Sequence, residues 1–158
     1  VELGANFGNF RAVGGLPFFA LFGPVKLPVT LTHMQFIHSD KAPAAIGPYS
    51  QAIEANGFVF CSGQTPLDPS TMKLVDGGIE PQTRQALANV RAILQARGLD
   101  LHNVVKSAVF LKNFADFQKM NAVYAEVFGN HRPARTTVEV SRLPLDCLVE
   151  IECVAVLK

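Results

Sequence analysis

Few side chains in this sequence are placed to do chemistry, and Arg135 stands out among them. It follows Pro133-Ala134 and enters an alternating, β-branched run, Thr136 to Val140, that reads as a strand. A guanidinium held at a strand mouth offers a planar fork of donors suited to bidentate capture of a carboxylate or phosphate. A surface ion pair at a strand end is the plainer reading of the same residue. Further along, Leu148 to Leu157 alternates so that Glu150 and Glu152 share a face with Val154 and Val156. Facing a cleft, one of two neighbouring carboxylates gains a raised pKa and can shuttle a proton or position water. Facing outward, both are solvated edge charges. An acid turned toward the arginine would separate an enzyme from a simple carboxylate receptor.

Other candidates are quieter. Ser62-Gly63-Gln64 ends an apolar run, and a glycine there either lets a backbone amide approach a ligand or simply leaves the strand. Tyr49 emerges from a rigid Gly47-Pro48 turn. Asn121 shares a helical stripe with Phe117, Tyr124 and Phe128. Burying its amide without partners would cost about 1–3 kcal/mol, so it must bond backbone, water or ligand. Cys61, Cys147 and Cys153 lie in or beside apolar runs without Cys-x-x-Cys spacing or paired histidines. They read as buried, reduced thiols, not a disulfide framework or a zinc site. With no glycine-rich phosphate loop either, a site that works without metal or cofactor is the economical expectation.

The elements that must position these residues follow from periodicity. Gln35 to His38 is a short strand candidate, and Lys41 to Tyr49 is rich in turn residues. Ser50 to Glu54 and Phe58 to Ser62 read as a hairpin through Ala55, Asn56 and Gly57. Phe58 to Cys61 is apolar on both faces and so belongs in a sheet centre; Asp68 to Gly78 is a long surface loop. A helix is expected from Pro81, as its first residue, to Arg97, with Gly98 ending it and Leu87, Val90, Ile93 and Leu94 as its buried stripe. Strand Val104 to Lys112 follows. A second helix, begun by Asn113 with Asp116 at capping-box spacing, runs to Gly129. This order predicts an α+β domain with two helices on one face of a largely antiparallel sheet. Two helices cannot cover apolar residues on both faces, so self-association through the sheet is expected.

The chain has 158 residues, 49% hydrophobic, with a formal charge of +1. That bounds one domain, residues 34–158, and lacks the basic excess of a nucleic-acid footprint. Residues 1–33 differ, with Glu2 their only acid and Arg11 and Lys26 their only Lys or Arg. They read as an N-terminal extension, either a presequence or a segment foreign to the domain. Leu16 to Phe22 is apolar but broken by Pro17, Gly23 and Pro24, and is too short for the roughly 20 residues that span a bilayer.

Taken together, Ala42-Pro43-Ala44-Ala45-Ile46-Gly47-Pro48-Tyr49-Ser50-Gln51-Ala52, Cys61-Ser62-Gly63-Gln64, Phe117 to Tyr124 with Asn121, Pro133-Ala134-Arg135-Thr136, Val138-Glu139-Val140, Leu143-Pro144 and Val149-Glu150-Ile151-Glu152 resemble the YjgF/YER057c/UK114 family, in particular its reactive intermediate deaminase A branch. The resemblance covers Met34 to Lys158. It implies a chorismate-mutase-like fold, a homotrimer with clefts between subunits, and a cytoplasmic or mitochondrial setting. The implied activity is hydrolysis of 2-aminoacrylate, 2-iminopropanoate and 2-iminobutanoate to 2-oxo acids and ammonia, without a cofactor. Arg135 would bind the substrate carboxylate, Glu150 would position or activate water, and Tyr49, Ser62, Gly63 and Asn121 would line the cleft. Thr137 stands where a number of relatives carry a cysteine, so a thiol-dependent property of the site is not expected. The turn at His131-Arg132 is short, which would alter the cleft rim. The alternatives are a non-catalytic trimer that binds 2-oxo acids, a ribonuclease or translation inhibitor, which the near-neutral charge disfavours, and a chaperone.

Overall fold

The structure is a computed structural model and describes residues 34–157, so the expected extension at residues 1–33 lies outside the described residues. Eight elements carry the fold: β1 (Gln35–Ile37), β2 (Ala52–Ala55), β3 (Phe58–Gln64), α1 (Ile79–Ala96), β4 (Val104–Leu111), α2 (Phe117–Phe128), β5 (Ala134–Glu139) and β6 (Val149–Val156). The strands form one sheet in the order β1-β2-β3-β6-β4-β5. Every pairing is antiparallel except that of β4 with β5, which run parallel because α2 returns the chain between them. The mixed, largely antiparallel α+β reading therefore holds, and β3, apolar on both faces, is interior to the sheet.

Alternation sorts the sheet into two faces. Val59, Cys61, Val109, Leu111, Val149, Ile151, Cys153 and Ala155 are buried and pack with Leu87, Val90, Ile93 and Leu94 of α1 and Met120, Tyr124 and Phe128 of α2. The stripe expected of α1 is thus the core. Among the described residues no helix covers the opposite face, where Phe36, Phe58, Phe60 and Val138 are exposed. A free sheet face carrying three phenylalanines is a surface that water solvates poorly.

Boundaries differ from expectation at both helix starts. α1 begins two residues before Pro81, after Gly77 and Gly78 at φ 99° and 88°. Pro81 still falls in the first turn, where its missing N–H removes a donor that has no intrahelical partner. Asn113 does not open α2 through a capping box. Its Oδ1 accepts from Ala115 N at 2.9 Å and caps a 3-10 turn, Phe114–Asp116, that precedes α2. Gly129, at φ 59°, ends α2 as expected.

Candidate functional site

Glu150 lies on β6, paired with Phe110 on the helix-free face of the sheet. Beside it the β3–β6 register slips between Cys61 and Gln64, leaving Ser62 and Gly63 in an irregularity. Bulges of this kind re-aim the chain at functional sites. Here the slip lays the Gly63 backbone against the carboxylate: an added Cβ would stand 1.9 Å from Glu150 Oε1 and 2.8 Å from its Cδ. Only glycine leaves room for that contact. Burial, and then repulsion from Glu152, push the Glu150 carboxyl above its ordinary range.

A cleft of about 350 Å³ opens over Glu150, lined also by Tyr49, Ser62 and Gly63. Its walls are tied down by polar residues whose role periodicity does not reveal. Gln51, 3% exposed, donates to Ser39 O (3.1 Å) and Pro43 O (2.8 Å) and accepts from Ser39 N (2.7 Å), which holds the 39–43 loop. Asn89 of α1 donates to Thr65 O (3.1 Å) and Leu67 O (2.9 Å) on the far wall. Ser62 Oγ donates to Ser50 O at 2.7 Å, so its hydroxyl hydrogen is engaged within the chain. Tyr49 is half-exposed at the rim, with its hydroxyl accepting from Ile46 N at 3.4 Å.

Arg135 is elsewhere. On β5 it pairs with Ser107, a residue 1% exposed beneath the helices, whereas Glu150 pairs with Phe110 three positions along the same strand. An odd offset on one strand means opposite faces. Within one chain Glu150 therefore does not face Arg135. Arg135 instead lines a second cleft of about 330 Å³ with Asn121, Tyr124, Phe128, His131 and Arg132.

The guanidinium is held by α2. Asn121 Oδ1 accepts from Arg135 Nη2 at 2.7 Å, and the guanidinium carbon stands 4.5 Å from the Tyr124 ring centroid and 6.0 Å from that of Phe117. The Tyr124 hydroxyl is fixed by Ser107 Oγ at 2.7 Å. A cation stacked on an aromatic face and bonded through one edge keeps its other donors free for an anion. Arg135 forms no ion pair with another described residue. Asn121 thereby finds its partner in the clamp itself. Tyr124 and Ser107 are residues the sequence reading did not assign to the site; the place of Tyr124 on the helical stripe, seven after Phe117 and three after Asn121, was the available signal for it, and Ser107 offered none. Arg132 donates to Gly129 O and to His131 O (2.8 Å), so the short turn serves as the C-terminal cap of α2 at the cleft rim.

The three cysteines are buried, free thiols. Cys61 and Cys153 face each other across β3 and β6, and the hydrogen bond between them, with burial, raises the Cys153 thiol. Among the described residues no cluster of His, Cys, Asp or Glu is arranged to hold a metal ion, and no helix is long and apolar enough to cross a membrane.

Residues 39–157 match the family model described as Endoribonuclease L-PSP. A RutC family protein of Pyrococcus horikoshii is 55% identical over 121 residues, covering 77% of this chain and 96% of its own. The chloroplastic Reactive Intermediate Deaminase A of Arabidopsis thaliana is 44% identical over 136 residues, 86% of this chain and 73% of its own. Among solved structures, E. coli TdcF with bound serine superposes with a TM-score of 0.75 at 39% identity, over 78% of this chain and 99% of that one.

Proposed function

Because the chain belongs to the endoribonuclease L-PSP family, the YjgF/Rid proteins, we propose that it is a hydrolytic deaminase of 2-imino acids, converting 2-iminopropanoate (from 2-aminoacrylate) and 2-iminobutanoate to 2-oxo acids and ammonia. The observation that carries this reading is the division of the two key groups. Arg135 and Glu150 sit on opposite faces of one sheet, each in an open cleft that lacks the other's charge. A second copy docked on the helix-free face, where Phe58 and Phe60 are exposed, would bring one chain's Arg135 to its neighbour's Glu150. A closed ring of three copies, with three such clefts, satisfies every half-site.

The chemistry suits these groups. A protonated imine next to a carboxylate is electrophilic at carbon, so the site needs an anion clamp and an ordered water more than a strong nucleophile. Arg135 would bind the carboxylate through its free donors. Glu150, made more basic by burial, would take a proton from water as the oxygen adds to the C=N carbon. The resulting carbinolamine collapses when that proton passes to nitrogen: the C–N bond breaks, the hydroxyl gives up its proton through Glu150 as the C=O forms, and the nitrogen leaves with that proton as ammonium. Serine bound to TdcF is a three-carbon amino acid, the size of the smallest substrate proposed here. A cytoplasmic or mitochondrial setting, where pyridoxal-phosphate enzymes release such imines, belongs to the same proposal.

One observation favours a second reading. Since the clamp is complete on one chain without Glu150, the Arg135 cleft alone would serve a 2-oxo acid receptor. The test co-expresses Arg135→Ala with Glu150→Gln and measures 2-oxo acid release from freshly generated imines. Each variant alone should retain about one per cent of wild-type activity or less. Randomly mixed trimers should recover about a quarter of wild-type activity, because about three in four contain one intact site of three. Binding of 2-oxo acids by the wild type without imine turnover would instead establish the receptor.

A further inference from the structure

The cleft over Glu150 is mostly apolar, and its polar side chains are largely spent. Gln51 and Ser62 bond within the chain, and among the described residues no Lys, Arg or His lines the cleft. The rest of the wall includes Ile46, Leu67, Pro144 and Leu145. Ile46 is 67% exposed and Leu145 58% exposed. Leu145 is the unusual member. It stands at φ 54°, ψ 17°, in the left-handed region, and is followed by Asp146 at φ 60°. Asn and Gly occupy that region readily, whereas a leucine resists it. The turn is pinned by Asp146 N donating to Leu143 O at 3.1 Å and by the Asp146 carboxylate pairing with Lys112 at 2.7 Å. Local backbone preference and solvent exposure both argue against a leucine here; the cleft it faces is the remaining reason for one.

We infer that Leu145, with Ile46 and Leu67, forms the subsite for the substrate's side chain and favours imino acids with an aliphatic chain longer than methyl or ethyl. The inference rests on the deaminase reading for the reaction, and on the cleft alone for the selectivity. The wall contributed by one chain bounds about 350 Å³, space that a docked neighbour would share, and its part beside Ile46, Leu67 and Leu145 is apolar. That wall carries no Lys, Arg or His among its described residues, and the neighbour's Arg135 would be engaged by the substrate's own carboxylate. A side chain ending in a second carboxylate would therefore lose its hydration there without a partner. An aliphatic chain gains by leaving water.

The test measures two series on the assembled full chain. Hydrolysis is followed for imines generated from alanine, 2-aminobutyrate, norvaline and leucine, and calorimetry follows binding of the corresponding 2-oxo acids. Both kcat/KM and affinity should rise about fourfold per added buried methylene in the wild type. Leu145→Asn, a residue at ease in the left-handed region, keeps the turn and should lower the leucine-to-alanine ratio about tenfold in both series. Thermal unfolding of the variant serves as the folding control. A flat wild-type series in both assays, or an Asn variant that loses all substrates in proportion, would overturn the subsite. A graded binding series without hydrolysis would support the subsite and remove the deaminase. Graded hydrolysis with the ratio unchanged in the variant would leave the deaminase and dismiss Leu145.

Discussion

Gly63 and Glu150 share one volume: the place where any other residue at 63 would put its Cβ is 1.9 Å from the Glu150 carboxylate oxygen. The position of the acid is thus written into a neighbouring strand as an absence. Gly63→Ala should push the carboxylate aside, cost about 1–3 kcal/mol of stability as overpacking does, and lower kcat sharply. The pair should be strongly non-additive: Gly63→Ala in a Glu150→Ala background should restore much of the lost stability, though not activity. Denaturant titration of the four proteins in the cycle checks this.

Arg135→Lys keeps a charge but loses the planar fork and the stack on Tyr124. A drop of at least about tenfold in kcat/KM is expected, expressed in KM, because a charge-assisted bidentate contact becomes a single one. Arg135→Ala should lose about a hundredfold or more, consistent with the removal of hydrogen bonds to a charged group. Size-exclusion chromatography establishes whether assembly survives in each.

Tyr124 carries the guanidinium on its ring and is itself tied to Ser107. Tyr124→Phe should keep the stack and leave the buried Ser107 hydroxyl short of a partner, costing about 1 kcal/mol of stability with little change in KM. Tyr124→Leu should raise the KM as well. A KM that moves equally in both variants would assign the effect to the hydroxyl and not to the stack.

The raised pKa of Glu150 has a definite sign. Its folded-state value lies above the ordinary 4.5, so its contribution is fully present below that value and is lost as pH rises through the folded pKa. Relative to Glu150→Gln, the wild type should therefore become less stable on going from about pH 4 to about pH 8, as denaturation at a series of pH values would reveal. Activity should move the other way, because the proposed base is the ionised carboxylate. The wild-type kcat/KM should rise on an acid limb with its midpoint above 4.5, and that limb should vanish in Glu150→Gln.

Periodicity and composition alone determined a good deal. Alternation in β6 and the 3.6-residue stripe of α1 place Val149, Ile151, Leu87 and Ile93 in the core, since burial follows side-chain period directly. The same regularity put Glu150 and Glu152 on the face away from that core. Arg135 was legible as a candidate clamp because a turn and a strand fix its backbone locally. Tertiary structure decided what depends on register between distant segments. That Arg135 bonds Asn121, that the β3–β6 slip lays Gly63 on Glu150, and that clamp and acid lie on opposite faces are all set by how strands pair. A shift of one residue in pairing reverses a face without changing any local pattern, so no stretch read by itself contains that information.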